Sequence, residues 1–276
     1  MVLETAFEIS ATSSVVEFWV STRLPFEPRG TMRHARDELR KTLVGLNCPP
    51  DFRLVAEYTS GITDFVDVEN VLLYNVGTGV FSHTSAQGLH VRRNYLTPPI
   101  SPAGCQFQHY HRYSFEPEES PPSLTPACIF SIRGMTSGTK PHEVWWAMCS
   151  GTTASIPAIA GRFRLDIELP SRGGNIAGLV KPLLDGIICA MHPASAINQE
   201  AILRLAARTT WPEAIIKRHL EQPPLPVLEA RKVLNVYREF VKWDPADELC
   251  DEFVVSPVPE SESCSVWVRN MAPSGQ

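Results

Sequence analysis

The clearest pattern of apolar and polar positions lies between residues 161 and 191. Apolar and charged residues alternate from Phe163 to Leu169, which is typical of a half-buried β-strand, and Pro170 then breaks the pattern. After the break, apolar residues recur in pairs four positions apart, which is the spacing of one wide helical face. These pairs are Leu179/Val180, Leu183/Leu184 and Ile187/Ile188. The pattern therefore predicts a strand, a glycine-containing turn and a helix in succession.

The other side of this predicted helix carries a polar row. Ala177, Lys181 and Asp185 follow one another at intervals of four, so their side chains are expected to line up. Pro182 is expected near the start of the helix, where its missing N–H leaves no partner unsatisfied. Two interpretations of Lys181 and Asp185 stay open: an exposed ion pair worth a few tenths of a kcal/mol, or part of a functional site.

The remaining periodicities predict an α+β (mixed α/β) fold, in which an antiparallel or mixed sheet packs against helices. Strands are expected at residues 15–22, 52–59, 88–95, 106–115, 127–133, 143–149, 251–255 and 264–269. Helices are expected at residues 32–46, 198–206, 212–221 and 226–241. Thr31 is the expected N-cap of the first helix.

A proline-rich segment, residues 97–104, is the best candidate boundary between an N-terminal α+β region (1–100) and a C-terminal region (105–276) with a helical insertion at about 195–240. The stretches FRLVAEYTSG and FRLDIELPSRG are similar, and each precedes a turn and an apolar segment. Asp67-Val68-Glu69-Asn70 stands at the first of these segments. We interpret the N-terminal region as a diverged copy of the C-terminal one, with chance similarity as the alternative.

Composition excludes several classes of protein. Of the 276 residues, 43% are hydrophobic and 20% are charged, which is ordinary for a globular protein. No apolar run reaches 18 residues, and Glu4 and Glu8 interrupt the segment where a signal peptide would be apolar. We therefore expect a cytoplasmic protein without membrane association. The seven cysteines are scattered without a C-x-x-C pair, which argues against zinc.

Charge is unevenly distributed along the chain. The net charge is −5, but residues 244–263 alone hold seven acids and no lysine or arginine. The rest of the chain is close to neutral, which permits a local basic face. His109 and His111 point the same way on a predicted strand, but no third metal ligand stands at a recognisable spacing, so a structural role is expected.

The strand, the turn and the helix with its lysine resemble the core of the RusA-type Holliday junction resolvases. That family's pattern reads D-x-D-N-x-x-K-x-x-x-D and, further on, W-x-D-D. Lys181 and Asp185 match in register, whereas Asn175 and Ala177 stand at the two leading Asp positions. The segment 243–248, WDPADE, resembles the second motif with two extra residues and Glu in place of its last Asp. The resemblance covers about residues 160–190 and 240–270.

The resemblance implies a dimeric, Mg²⁺-dependent endonuclease that cleaves branched DNA in recombination and repair. Several carboxylates must then converge on hard cations beside a lysine. The implied catalytic residues are Lys181, Asp185, Asp247 and Glu248, and the three acids among them are the implied metal ligands. Because Asn175 and Ala177 supply no carboxylate, the active site is expected to be degenerate. Asp67 and Glu69 are an alternative acid pair, which would complete a composite site if the fold brought them beside Lys181.

Two functions from different classes remain open. The first is an enzyme or binder of branched DNA, with phosphate contacts from Arg162, Arg164, Arg172 and Lys181 and with Mg²⁺ if it is active. The second is a non-catalytic scaffold or adaptor without a cofactor, which would bind a protein partner through residues 195–240 or 244–263. Salt-dependent DNA binding distinguishes the two.

Overall fold

The computed structural model describes residues 6–62, 65–118, 124–132, 135–136, 138–170 and 174–271. The described part contains strands β1 (Phe7–Ala11), β2 (Val16–Val20), β3 (Phe52–Thr59), β4 (Leu89–Asn94), β5 (His109–Pro117), β6 (Cys128–Phe130), β7 (Thr152–Thr153), β8 (Phe163–Leu169), β9 (Leu234–Tyr237), β10 (Phe240–Trp243), β11 (Cys250–Pro257) and β12 (Cys264–Asn270). Its α-helices are α1 (Gly30–Leu43), α2 (Pro141–Cys149), α3 (Ile176–Ala190), α4 (Gln199–Thr209) and α5 (Glu213–Glu221).

Ten of these strands form one mixed sheet in the order β1-β2-β5-β3-β4-β11-β8-β12-β6-β7, and β9 and β10 form a separate hairpin. The predicted α+β fold with a mixed sheet is confirmed. The proline-rich segment 97–104 connects β4 to β5, and β5 pairs with β2 and β3. The strands on both sides of the proposed domain boundary thus belong to one sheet.

The sheet consists of two halves with the same topology. The first half runs β2-α1-β3-β4-β5 along the chain, and its strands lie side by side as β4-β3-β5-β2. The second half runs β6-α2-β8-α3-β11-β12, and its strands lie as β11-β8-β12-β6. In each half the two strands nearest the other half are parallel, β4 with β3 and β11 with β8, and the remaining neighbours are antiparallel. β4 and β11 pair antiparallel and join the halves.

One face of the sheet packs against the helices in a single hydrophobic cluster that includes Leu39 of α1, Trp145 of α2 and Ile187 of α3. The opposite face is charged, and its side chains form ion pairs, most of them between strands. These pairs are Arg53–Glu116, Arg92–Glu57, Arg112–Glu57, His90–Glu116, His90–Glu252, Arg164–Asp166 and Arg269–Asp166. Helix α3 therefore lies on the other side of the sheet from these charges.

Helices α2 and α3 pack unusually close together at Gly186. A Cβ atom built on this glycine would lie 2.5 Å from Val144 Cβ and 2.6 Å from the carbonyl oxygen of Pro141. No side chain fits such a gap without displacing backbone. Gly186 thus allows α2 to lie directly against the part of α3 that carries Asp185.

The predicted strand at residues 143–149 is wrong, because the segment forms α2. The Val and Trp residues favoured a strand, but Pro141 occupies the first helical turn and the side chain of Glu143 accepts a hydrogen bond from the Lys140 N–H at 2.7 Å. These two features mark a helix start. The buried residues are Val144, Trp145, Met148 and Cys149, which is one helical face.

The predicted helix at residues 226–241 is also wrong, because β9 and β10 form a hairpin there. Its apolar spacing fits a helical face, but its residues are mostly β-branched or aromatic, which suits a strand. Arg238, in the turn, has a φ of 53°, which a continuous helix does not permit. The insertion at about 195–240 is thus two helices followed by the first part of a hairpin.

Two helix starts differ from expectation. Arg29, not Thr31, stands at the N-cap of α1. α3 begins at Ile176, and the side chain of Asn175 caps it by accepting the N–H of Gly178 at 3.1 Å. Pro182 therefore lies inside the helix, where it cannot donate to the preceding turn. Among the described residues, no helix has the length and apolarity that a membrane span requires.

Candidate active site

The side chain of Lys181 is surrounded by carboxylates from three separate segments. Its Nζ lies 2.7 Å from Asp247 Oδ2, 2.9 Å from Glu69 Oε1 and 3.0 Å from Asp185 Oδ1. Asp67 Oδ2 is 3.7 Å away. The composite site, which required Asp67 and Glu69 to approach Lys181, is therefore what the fold assembles.

Each segment positions its acid in a simple way. Lys181 and Asp185 lie one turn apart on α3, so their side chains meet. Asp67 and Glu69 come directly before a single π-helical turn, Asn70–Tyr74, and the Asn70 side-chain amide donates a hydrogen bond to Asp67. Asp247 begins a short 3₁₀ turn that leads into β11.

Burial makes this cluster electrostatically strained. Burial and the charge of Glu69 raise the pKa of Asp67 to about 9. Burial also raises the pKa of Asp185 to about 6, although Lys181 opposes the shift. Burial disfavours the charge on Lys181, but the surrounding carboxylates outweigh this and raise its pKa. One lysine thus does not neutralise four acids, and Asp67 retains its proton near neutral pH.

The acids fit a divalent cation. Asp67, Glu69 and Asp247 each offer a carboxylate oxygen, and these three oxygens lie within 4.8 Å of one another. Oxygen donors with several negative charges are what Mg²⁺ and Mn²⁺ require. Asp67 Oδ1 is buried and accepts no hydrogen bond within the described residues, so it has capacity for a further ligand.

The cluster forms the floor of a cavity of about 660 Å³. Asp67, Lys181, Asp185 and Asp247 lie among its lining residues. Its rim carries basic side chains from α4, from β10 and from the start of α2. These are Arg208, Lys242 and Lys140. An acidic floor below a basic rim suits a phosphate ester held near a metal ion.

The insertion forms one wall of this cavity. Helix α4 and the hairpin supply Leu205, Arg208, Val241 and Trp243 to the lining. Arg208 donates a hydrogen bond to the carbonyl oxygen of Glu239 at 2.9 Å and lies over the ring of Phe240, so the helix holds the hairpin in place. The insertion therefore shapes access to the acids.

Not every predicted site residue joins the cluster. Glu248 lies beside Asp247 in sequence, but its Oε1 pairs with Arg231 Nη1 at 2.6 Å. Arg162 pairs with Asp251 at 2.7 Å and lies over the ring of Tyr95, away from the cavity lining. Arg164 lies on the charged face of the sheet with Asp166. Arg172 lies outside the described residues.

The two positions that lack a carboxylate have structural roles. Asn175 caps α3, as described above, and the N–H of Ala177 donates to Ser85 Oγ at 3.2 Å. The rim residues Lys140 and Lys242 were not singled out from the sequence, because each stands alone among uncharged or acidic neighbours. Only the fold brings them to one cavity.

The two histidines of β5 contact aromatic side chains. His109 Nδ1 is 2.7 Å from the hydroxyl of Tyr58, and His111 is fully buried against Phe18 and Tyr58. A larger cavity of about 770 Å³ lies beside α2, but among the described residues that line it Glu143 is the one acid, and it already accepts the Lys140 N–H. Neither feature competes with the acid cluster as a catalytic centre.

Comparison with known protein families, with characterised proteins and with solved structures gives no match for this chain.

Proposed function

We propose that this protein is a divalent-cation-dependent endonuclease that hydrolyses phosphodiester bonds in branched DNA, in the manner of the RusA-type resolvases. The supporting observation is the convergence of Asp67, Glu69, Asp185 and Asp247 on Lys181 at the floor of a basic-rimmed cavity. Acids that are close in sequence lie close in space without any functional reason. These four acids come from three distant segments, and their mutual repulsion favours the binding of a cation.

Mg²⁺ or Mn²⁺ bound by Asp67, Glu69 and Asp247 would lower the pKa of water and stabilise charge on the phosphate. The residues of the chain have complementary tasks in this proposal. Lys181 donates hydrogen bonds to a non-bridging phosphate oxygen, where negative charge increases in the transition state. Asp185, with a pKa of about 6, is suited to accept a proton from the attacking water. Lys140 and Lys242 hold the flanking phosphates.

The test is a cleavage assay with the full chain. End-labelled four-way junctions, forks, duplexes and single strands, each made as DNA and as RNA, are incubated with Mg²⁺, Mn²⁺ or EDTA. We expect metal-dependent cleavage of branched DNA and none in EDTA. Asp247→Asn should reduce the rate by about 100-fold or more, because hard-cation affinity depends on the number of charged ligands.

Glu248→Gln is the matched control. It removes one negative charge one residue away, but from a carboxylate that is paired with Arg231 outside the cluster. Its cleavage rate should equal that of the unchanged protein. Equal losses in Asp247→Asn and Glu248→Gln, or no cleavage of any substrate, would contradict the proposed function.

A non-catalytic scaffold is the second candidate. Tyr237 and Phe240 flank the tip of the hairpin and are 57% and 59% exposed, so this tip offers an apolar contact to a protein partner. A scaffold predicts no shift of branched DNA in gels at low salt. Absence of such binding would eliminate the endonuclease and favour this candidate.

A further inference from the structure

The register of the sheet gives the two halves an approximate twofold axis. Aligning Leu54 with Leu165, as the similar stretches suggest, makes their parallel neighbours Leu89 and Phe253 equivalent. Across the central pair, Leu89 lies opposite Val255 and Phe253 lies opposite Val91. The same alignment makes Val91 and Val255 equivalent, so the two pairs exchange under a twofold rotation. The axis passes at the His90–Val254 pair.

The acid cluster draws on both halves. Asp67 and Glu69 belong to the first half, whereas Lys181, Asp185 and Asp247 belong to the second. A twofold rotation therefore requires a second location where the second half supplies the acid positions and the first half supplies the lysine position. In the sequence alignment Asn175 and Ala177 replace the acids, and Leu73 replaces the lysine.

This second location lacks the chemistry of the first. Residues 70–89 of the first half contain no Asp, Glu, Lys or Arg, so no carboxylate there corresponds to Asp185 or Asp247, and His83 stands at the position equivalent to Asp247. In the alignment Ala177 is equivalent to Glu69, and Ser85 is equivalent to a residue of the turn before β11. The contact between Ala177 and Ser85 therefore lies where the second location would need its acids. The insertion, which walls the cavity beside Lys181, has no equivalent in the short connection between the π-helical turn and β4.

From these asymmetries we infer that the chain is a fused pair of related halves with a single working site, and that it cuts one DNA strand per binding event. This inference rests on the proposed function. In each event the oxygen of one water forms a bond to phosphorus, one P–O ester bond breaks, and the departing oxygen takes up a proton. The product is a nick. A homodimer of separate halves would instead place two equivalent sites across the axis and cut two strands.

The experiment uses a negatively supercoiled plasmid whose inverted repeat extrudes a four-way junction. Protein is bound first, and Mg²⁺ is added together with excess unlabelled junction, so that each plasmid is cut in one encounter. We expect nicked circles as the sole product. Linear plasmid formed within that encounter would overturn the inference, and absence of any cleavage would overturn the proposed function as well.

Two further measurements make the result specific. Asp247→Asn should abolish nicking, whereas His83→Gln, at an exposed position before β4, should leave it unchanged. If His83→Gln instead removed cuts in one particular strand, a second site would exist and the inference would fail. Analytical ultracentrifugation should show that the protein that nicks the plasmid is a single chain of 30.7 kDa. A stable dimer that makes paired cuts would contradict it.

Discussion

The carboxylate of Glu69 and the ammonium of Lys181 meet at 2.9 Å, although 112 residues separate them in the chain. The side chain of Glu69 is 2% exposed, so its charge depends on this partner. The pair also connects a residue of the first half to a helix of the second half. Stability and chemistry are therefore linked at the same contact.

Removal of Lys181 should destabilise the fold. Lys181→Met leaves Glu69 buried without a cation, and we expect a loss of about 3–5 kcal/mol in the free energy of unfolding by urea. Lys181→Met/Glu69→Gln should recover part of that loss, because the second change removes the unpaired charge. Lys217→Met, at a half-exposed lysine of α5, is the control and should change stability by less than about 0.5 kcal/mol. A Lys181→Met protein as stable as the unchanged one would contradict this account.

Without metal, the stability of the fold should fall as pH rises. The pKa of Asp185 is raised to about 6 and that of Asp67 to about 9, both above their ordinary value of 3.8. The folded state therefore retains protons that the unfolded state releases, and this contribution is lost as pH rises through 6 and then 9. The raised pKa of Lys181 adds no slope in this window, because lysine is charged throughout it.

Thermal unfolding in EDTA between pH 5 and pH 9 checks this sign. Mg²⁺ or Mn²⁺ at pH 8 should raise the Tm, since the cation binds the ionised acids of the folded state alone. Asp67→Asn should flatten the pH dependence and weaken the metal effect together. A Tm that rises toward pH 9 in EDTA would contradict the prediction, because it would show that ionisation of the buried acids does not destabilise the folded state.

His111 should give the opposite dependence at acidic pH. Burial lowers its pKa to about 3, below the ordinary 6.5, so the unfolded state takes up a proton that the folded state refuses. Stability from this group is complete above pH 6.5 and falls by up to about 1.4 kcal/mol per unit as pH decreases toward 3. His111→Phe, which keeps the ring between Phe18 and Tyr58, should unfold less steeply with acid. Urea titrations of both proteins at pH 7, 6, 5 and 4 measure this. If the free energies of unfolding of the two proteins decreased in parallel, His111 would not contribute to the acid sensitivity.

Gly186→Ala should separate α2 from α3. Its new methyl group would lie within 3 Å of Val144 and of backbone atoms in α2, so we expect a loss of about 1–3 kcal/mol from overpacking. Because Asp185 is adjacent, the metal-induced rise in Tm should also shrink. Gly79→Ala is the control, since a Cβ there meets no atom within 4 Å. Equal stability of the two variants would mean that the helices can move apart freely.

The rim lysines should set the salt dependence of DNA binding. Lys140→Gln and Lys242→Gln should each reduce the slope of log K against log salt by about 1, because each removes one phosphate contact. Fluorescence anisotropy with a labelled junction, in Ca²⁺ and over a series of salt concentrations, measures the slope. Lys217→Gln lies outside the cavity lining and should leave it unchanged. The same slope in all three variants would remove the rim from the DNA interface.

Local patterns were sufficient to predict β3, β8 and the polar row of α3, because both strands are rich in residues that favour strands and the polar row follows the helical repeat. They failed at residues 143–149 and 226–241, where residue preference and apolar spacing disagreed with start and turn signals. The predictions named Asp67 and Glu69 as a candidate pair, but their distance from Lys181 depends on the pairing of β4 with β11. No local pattern encodes that pairing. Local patterns also do not show that Glu248 pairs with Arg231.

The pairing of β4 with β11 makes the stability of each half depend on the other. Residues on both sides of it contribute to one hydrophobic cluster, and each of its strands would become a bare edge if the halves separated. Such an edge invites aggregation, so a fragment ending near residue 117 would gain little by folding alone. The molecule is therefore expected to melt in one step, and proteolytic cleavage between β5 and β6 would release no stable piece.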